Sequence, residues 1–202
     1  MTDLLLVFLR APRLGTVKTR LALGIGAPQA LVIYRDLVER VLSAIPSSMN
    51  VRLCFTPDDA APEIQVWVRP GWSLLPQGEG DLGTRLTQAI GQAFQEGVQG
   101  VVVIGTDAPE MTGTDLEEAF VALRDSDLVL GPATDGGYWL IGLTQPRPSL
   151  FTRIQWGESE VLNATEAAAA LEGLSIRRLR CLSDLDTAAD WEAWQMRAGL
   201  GA

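Results

Sequence analysis

Carboxylates stand at the ends of apolar segments in this 202-residue sequence. Asp107 follows the β-branched run 101–104, which predicts a strand buried on both faces. Asp135 lies in a glycine-rich bend between two further apolar segments, and the pair Asp184 and Asp186 follows a later one. Because ligands of open α/β sheets bind outside the carboxyl ends of the strands, we expect Asp107 and Asp135 to face one cleft.

A basic loop follows the first apolar segment. Residues 10–20 carry four cationic side chains, one glycine and two threonines in a chain of net charge −9. Backbone N–H groups and cationic side chains converge on phosphate in such loops, so a phosphate site is one interpretation and a solvated basic loop is the other. The spacing fits neither a P-loop nor a Rossmann dinucleotide motif.

A second glycine-rich segment precedes a predicted helix. Three glycines fall within the six residues 78–83 and would let a ligand approach the backbone closely. A flexible loop with Asp81 as the helix cap is the alternative interpretation. Tyr138 and Trp139 follow another glycine pair, and each ring is either a core residue or a platform beside a sugar or base.

The composition excludes several classes of chemistry. The chain has no histidine, which excludes Ser-His-Asp catalysis and histidine-ligated zinc and leaves carboxylates suited to Mg²⁺ or Mn²⁺. The charge of −9 argues against a nucleic-acid partner. The absence of a long apolar run argues against a membrane span, and we expect a cytoplasmic protein with two free thiols. Nothing in the sequence indicates the oligomeric state.

Hydrophobic periodicity predicts the elements that position these residues. Apolar residues at helical spacing predict an amphipathic helix over 27–45, and a capping box is expected at 114–117. The segment 70–81 reads as a Gly/Pro-rich loop. Further strands are expected at 51–55, 65–68, 128–130, 138–143 and 176–182.

Five motifs then give the chain a family resemblance. They read FLRAPRLGTVKTRLA, QGEGDLG, IGTDAPEM, GPATDGGYWLIGL and LSDLDTAADW, and the match spans roughly residues 4–192. They resemble bacterial GT-A-like proteins named nucleotide-diphospho-sugar transferases, some of them called arsenosugar biosynthesis glycosyltransferases. They are also similar to the molybdenum cofactor and phospholactate guanylyltransferases of the same fold. The resemblance implies an α/β fold, with residues 1–202 as a single GT-A domain whose mainly parallel sheet has helices on both faces.

The resemblance also implies a metal site. Asp107 stands at the metal-binding position, but the local sequence is Thr106-Asp107-Ala108 where related glycosyltransferases have Asp-x-Asp. Asp186 is therefore expected to complete the site for Mg²⁺ or Mn²⁺. The loop after the first strand is expected to hold the nucleotide through Gly15, Thr16, Lys18 and Arg20.

Two further groups of residues receive roles from the same resemblance. The base or ribose is expected to contact Gln77, Gly80 and Asp81. The acceptor or sugar is expected to lie against Asp135 and the residues that follow it, Gly136, Gly137 and Tyr138.

Three functions are consistent with these residues. The sequence favours glycosyl transfer from a nucleotide-diphospho-sugar to a small-molecule acceptor, with Asp135 as the carboxylate base and Lys18 as a second catalytic residue. The alternative is nucleotidyl transfer from an NTP to a phosphorylated small molecule, in which the basic loop holds the β- and γ-phosphates and pyrophosphate leaves. The third is a non-catalytic nucleotide-binding protein.

Overall fold

The computed structural model describes residues 3–198. Its strands are β1 (Asp3–Arg10), β2 (Val51–Thr56), β3 (Ser73–Pro76), β4 (Gly100–Ile104), β5 (Leu128–Pro132), β6 (Tyr138–Leu143) and β7 (Ile176–Arg178). Its helices are α1 (Thr19–Ile25), α2 (Ala27–Ala44), α3 (Ala61–Ile64), α4 (Leu82–Gln95), α5 (Gly113–Ala122), α6 (Val161–Leu171) and α7 (Ala188–Ala198). Two 3-10 helices span Gln65–Trp67 and Pro148–Phe151.

The strands form one sheet in the order β3-β2-β1-β4-β6-β5-β7. β6 pairs antiparallel with both of its neighbours, and the other strand pairs are parallel. The carboxyl ends of β1, β2, β3, β4 and β5 therefore meet at one edge of the sheet. The predicted α/β class with a mainly parallel sheet is confirmed.

Helices cover both faces of this sheet because successive strand residues point to opposite sides. Leu5 and Val7 of β1 belong to the apolar cluster that includes the buried faces of α2 and α5. Leu4 and Leu6 belong to the opposite cluster, which includes the buried face of α4. Burying each such side chain contributes roughly 1.5–3 kcal/mol, so the long apolar runs of the sequence hold the sheet between its helices.

Tyr34 of α2 ties that helix to the end of β1. Its hydroxyl donates to the Arg10 carbonyl oxygen (2.8 Å) and accepts from the Arg10 N–H (2.9 Å). Burial raises the pKa of the phenol to about 12, so the hydroxyl keeps its proton for this bond at neutral pH. The backbone is thereby fixed where the basic loop leaves the sheet.

One predicted strand is wrong. Gln65–Trp67 form a 3-10 helix after α3 with Val68 at its end, and the strand lies at 73–76, inside the segment read as a loop. Ile64 and Trp67 are buried while Val66 is 77% exposed, which is helical spacing. A run of four residues is too short for alternation to distinguish a strand from a helical turn.

Two further boundaries differ from the prediction. β7 covers only the start of the predicted segment 176–182, because Arg180 turns to Asp115 with its Nε 2.5 Å from Oδ1. The segment regains one parallel bridge at Leu182. The capping box is formed by Thr112 and Asp115, two residues before the predicted one. Within 3–198 no helix has the length and apolar character needed to cross a bilayer.

Candidate functional site

A cleft of about 730 Å³ opens at the carboxyl edge of the sheet. Its walls come from the end of β1, the loop before α1, the start of α4 and the segment after β4. Nine of the predicted site residues line it: Thr16, Lys18, Arg20, Gln77, Gly80, Asp81, Asp107, Tyr138 and Asp186. Gly15, Asp135, Gly136 and Gly137 are not among its lining residues.

Two carboxylates and one ammonium meet in this cleft. Lys18 Nζ lies 2.5 Å from Asp107 Oδ1 and 2.9 Å from Asp186 Oδ1. The Lys18 side chain is 4% exposed, whereas those of Asp107 and Asp186 are 45% and 38% exposed. Arg20 adds a looser contact, with its Nη1 3.6 Å from Asp186 Oδ2. The ammonium therefore bridges the two predicted metal ligands.

Lys18 is directed inward by its backbone. The residue has φ 46° and ψ 47°, the left-handed backbone conformation that residues other than glycine rarely adopt. Val17 beside it is buried and fixes the loop. Burial alone would lower the pKa of the Lys18 ammonium, but the carboxylates of Asp107 and Asp186 outweigh that effect and hold its pKa above the ordinary value. Lys18 is therefore a charged member of the site.

Asp186 reaches Asp107 through the backbone of the segment before α7. The N–H of Leu185 donates to the Asp107 carbonyl oxygen (2.9 Å), and the Leu185 side chain is buried. Asp190 accepts from the N–H groups of Asp186 (3.1 Å) and Thr187 (2.7 Å), which holds the next turn in place. These bonds set Asp186 beside the end of β4.

Asp184 is a third acid beside this pair. Its Oδ1 is buried and has no hydrogen-bond partner among residues 3–198. Burial, followed by the negative charges of Asp107, Asp135 and Asp186, raises the pKa of the Asp184 carboxyl to about 7. The surroundings of this carboxyl therefore disfavour its charged form.

Asp107 and Asp186 fit a hard divalent cation. Mg²⁺ is held in proteins by one or two carboxylates together with substrate phosphates, and these two carboxylates converge on one point. Across the described part of the chain, no cluster of three or more acidic or cysteine side chains has the geometry of a metal site. The phosphates of a ligand would therefore complete the coordination.

A different set of residues lines the cleft beside β2 and β3. The Gln77 amide nitrogen donates to the carbonyl oxygens of Cys54 (2.8 Å) and Leu9 (3.2 Å), so Gln77 joins β2 to β1. Its Oε1 accepts from Arg85 Nη1 at 3.3 Å, and Thr56 Oγ1 accepts from the same nitrogen at 3.4 Å. Within residues 3–198 the buried Nε of Arg85 has no partner. Arg85 is thus held only by long bonds.

Other predicted nucleotide contacts have local structural roles. Asp81 caps α4, because its Oδ1 accepts from the Thr84 N–H (2.8 Å) and hydroxyl (2.6 Å). The Thr16 hydroxyl donates to the Arg13 carbonyl oxygen (2.9 Å). Gly80 has φ 105°, and a Cβ there would approach the Thr84 side chain to 2.9 Å. The backbone of these residues still forms part of the cleft wall.

Asp135 lies on the expected edge of the sheet but does not line the cleft. Its Oδ1 accepts from the Gly137 N–H (2.9 Å), the usual bond of a turn aspartate. Gly136 has φ 92°, and a Cβ there would overlap the carbonyl oxygen of Ser159. The local hydrogen bonding and packing of the bend therefore explain why Asp135 and Gly136 stand there. Their predicted substrate contacts remain predictions.

Sequence reasoning counted Arg10 in the basic loop without giving it a site role of its own, and it missed a second cation of the cleft, Arg85. Arg10 is the last residue of β1, and its exposed position after a buried strand was a readable signal. Arg85 lies in the first turn of α4 and gave no signal of its own, because only the packing of Gln77 and Thr56 directs it to the cleft.

A family model covers the centre of the chain. The family described as "Uncharacterized protein conserved in bacteria (DUF2064)" matches residues 41–158, more than half of the sequence. A crystal structure from Desulfovibrio desulfuricans G20, of a protein provisionally named a nucleotide-diphospho-sugar transferase, shares 31% identity. It superposes with a TM-score of 0.91 over 97% of this chain and 87% of that chain. The resemblance inferred from the motifs is confirmed.

The chain is also similar to one further protein in sequence and to one further structure in fold. Phosphoenolpyruvate guanylyltransferase of Sphaerobacter thermophilus is 27% identical over 198 residues, which cover 94% of this chain and 92% of that protein. The structure of CMP:2-keto-3-deoxy-manno-octonic acid synthetase with CTP superposes with a TM-score of 0.60 at 11% identity, over 99% of both chains. The second similarity concerns the fold alone.

Proposed function

The chain belongs to the DUF2064 family of bacterial proteins, and on that premise we propose that it is a metal-dependent nucleotidyltransferase that joins an NTP to a phosphorylated small molecule. Its membership of the transferases, predicted from the sequence, agrees with the names of both full-length relatives. The proposal concerns the transferred group, which we take to be a nucleotidyl group. It also assigns Mg²⁺ or Mn²⁺ as the cofactor and treats residues 1–202 as one domain.

The observation that carries this proposal is the composition of the cleft. Four cationic side chains, those of Arg10, Lys18, Arg20 and Arg85, line the same cleft as the carboxylates of Asp107 and Asp186. A triphosphate needs this positive charge in a chain of net charge −9. Inverting glycosyl transfer to a hydroxyl needs a carboxylate base, but an acceptor phosphate is already ionised and needs none. The candidate base Asp135 is tied to its own bend, which favours the reaction that needs no base.

The order of the strands supports one orientation of the nucleotide along the edge of the sheet. Arg85 contacts Thr56 at the end of β2, and Asp107 follows β4, two strands away. Strands lie about 4.8 Å apart, so the two groups are separated by roughly 10 Å across the edge. The phosphates would lie at Asp107 and Lys18 and the base near Arg85. A guanidinium matches the O6 and N7 acceptors of guanine.

The reaction at this site is an in-line displacement. An oxygen of the acceptor phosphate forms a bond to the α-phosphorus, and the bond from that phosphorus to the bridging oxygen breaks. The electron pair leaves with pyrophosphate, whose charge Arg10, Lys18 and Arg20 stabilise. Asp107 and Asp186 would hold the divalent metal, which would supply electrostatic stabilisation of the phosphate charge. The chain's own task is positioning and electrostatic stabilisation.

Glycosyl transfer is the second candidate. The name of the Desulfovibrio protein favours it, since that protein is 31% identical over nearly the whole chain. In that reaction the same carboxylates and cations would hold the diphosphate of the nucleotide sugar. Asp135 would have to leave its bond to Gly137 to act as the base.

Pyrophosphate release distinguishes the two reactions. The purified protein is incubated with GTP and Mg²⁺, with and without phosphoenolpyruvate or phospholactate, and pyrophosphate is measured with a coupled assay. ATP, CTP and UTP are compared in the same format. Acceptor-dependent pyrophosphate supports the proposal. Release of GDP or UDP from nucleotide sugars, without pyrophosphate from any NTP, would instead establish the second candidate.

A further inference from the structure

Lys18 occupies the point on which the two metal-binding carboxylates converge. Its ammonium donates to Oδ1 of Asp107 and to Oδ1 of Asp186, at 2.5 Å and 2.9 Å. A divalent cation bound by the same pair would need oxygen contacts near 2.0–2.1 Å. The ammonium and the metal would then lie side by side on shared oxygen atoms, and their like charges repel.

The surrounding structure holds the Lys18 side chain in this position. Lys18 is 4% exposed, and its left-handed backbone is a strained conformation that persists only where the surroundings impose it. Arg20, in contrast, is 70% exposed and lies 3.6 Å from Asp186, so it does not fill the same point.

We propose that Lys18 is the resident cation of the Asp107–Asp186 site, and that a divalent metal enters only as a metal–nucleotide complex whose phosphates draw the Lys18 ammonium away. This inference rests on the metal site of the proposed function and adds the form in which the metal arrives. The phosphates supply what the exchange requires, since they offer new partners to the ammonium and further oxygen ligands to the metal.

The exchange predicts opposite effects of one substitution. Lys18→Met removes the competing charge, so the protein without nucleotide should bind Mn²⁺ at least about tenfold more tightly than wild type. The same substitution removes a phosphate partner, so the affinity for GTP measured in EDTA should fall. If Lys18 only supported the fold, its replacement would disorder the carboxylates and would not tighten Mn²⁺ binding.

The test is Mn²⁺ titration followed by electron paramagnetic resonance on the nucleotide-free protein, which does not depend on turnover. Lys18→Arg keeps the charge and should bind Mn²⁺ as weakly as wild type. Arg20→Met removes a cation at the rim and should change the affinity less than Lys18→Met does. Lys18→Gln, which keeps an amide donor toward the carboxylates, replaces Lys18→Met if that variant does not fold.

Tighter Mn²⁺ binding by Lys18→Met or Lys18→Gln, but not by Lys18→Arg, supports the proposal. Unchanged or weaker Mn²⁺ binding by the two neutral variants, or tight binding by the nucleotide-free wild type, overturns it. If these affinities behave as expected and no nucleotidyl transfer is detected, the proposed function fails while the exchange at the carboxylate pair stands.

Discussion

The ammonium of Lys18 and the carboxylate of Asp107 form an ion pair of 2.5 Å that joins the loop after β1 to the end of β4. β1 and β4 are neighbours in the sheet, so the pair closes a short span between two strand ends. One partner is buried and the other is half exposed to the cleft. The exposed carboxylate of Asp107 is therefore available to a ligand. In the absence of a ligand, Lys18 neutralises its charge.

Replacement of Asp107 is expected to remove the response to metal. In Asp107→Asn, Mn²⁺ should no longer strengthen nucleotide binding, because an amide oxygen carries no charge for the cation. The buried Lys18 loses one of two anionic partners, which we expect to cost about 1–3 kcal/mol of unfolding free energy. Calorimetric titration with and without Mn²⁺ measures the first effect. Asp36→Asn, at an exposed position of α2, is the control and should keep the metal response; a normal response in Asp107→Asn would make Asp107 a turn residue.

Replacement of Arg85 is expected to weaken nucleotide binding at the end away from the metal. Arg85→Lys retains the charge but loses the planar pair of donors, so GTP affinity should fall by roughly tenfold or more. The Mn²⁺ response should remain. Competition with ITP and ATP shows whether the loss concerns the O6 and N7 acceptors, which ITP shares with GTP. Equal affinities of both proteins for GTP would exclude Arg85 from the base end.

Replacement of Asp135 separates the two candidate reactions. Asn keeps an oxygen that accepts from the Gly137 N–H, so the bend should persist in Asp135→Asn. Under nucleotidyl transfer the turnover should fall far less than the roughly 100- to 10,000-fold that a general base contributes. Turnover per folded molecule is the quantity to compare. A loss within that larger range, at unchanged thermal stability, would favour glycosyl transfer with Asp135 as base.

The Asp115–Arg180 pair is expected to make stability depend on pH. Burial would raise the pKa of the Asp115 carboxyl, but hydrogen bonds from Arg180 and Thr112 outweigh it and hold the pKa below the ordinary value. A depressed pKa stabilises the fold above the unfolded-state value of about 3.9 and loses that contribution as the pH falls through the folded-state pKa. Asp115→Asn should cost about 1–3 kcal/mol at pH 7.

That cost should shrink as the pH falls below the unfolded-state pKa of about 3.9, and it should vanish only below the depressed folded-state pKa, where the wild-type carboxyl is protonated in both states. Urea unfolding at pH 7 and pH 3.5 measures both values. Asp36→Asn, at an exposed position of α2, is the matched control and should change stability little at either pH. A pH-independent cost would mean that the shape of the side chain matters and its charge does not.

The sequence predicted the parts of the site that depend on local pattern. A β-branched run located β4 and therefore Asp107, and the cap at Asp81 followed from its position before a helical stripe. Lys18 was expected at the phosphates, but its left-handed backbone turns it to the carboxylates, and no local rule assigns that conformation to a lysine. Arg85 depends on tertiary packing alone.

The pairing of Asp107 with Asp186 also lay beyond local pattern. A single backbone bond from Leu185 to Asp107 sets it, and only the family resemblance suggested it. The short strand β7 was overestimated for a related reason. The ion pair of Arg180 with Asp115 follows the end of that strand and joins residues 65 positions apart, which local sequence pattern does not reveal.

³¹P NMR of the complete reaction tests the central claim most directly. GTP, Mg²⁺ and a phosphorylated three-carbon acid are incubated with the protein, and spectra are recorded over time. Nucleotidyl transfer predicts two new coupled diphosphate resonances together with the pyrophosphate signal, both dependent on acceptor and absent with Asp107→Asn. Unchanged GTP and acceptor signals, with GDP released from a GDP-sugar under the same conditions, would contradict the account.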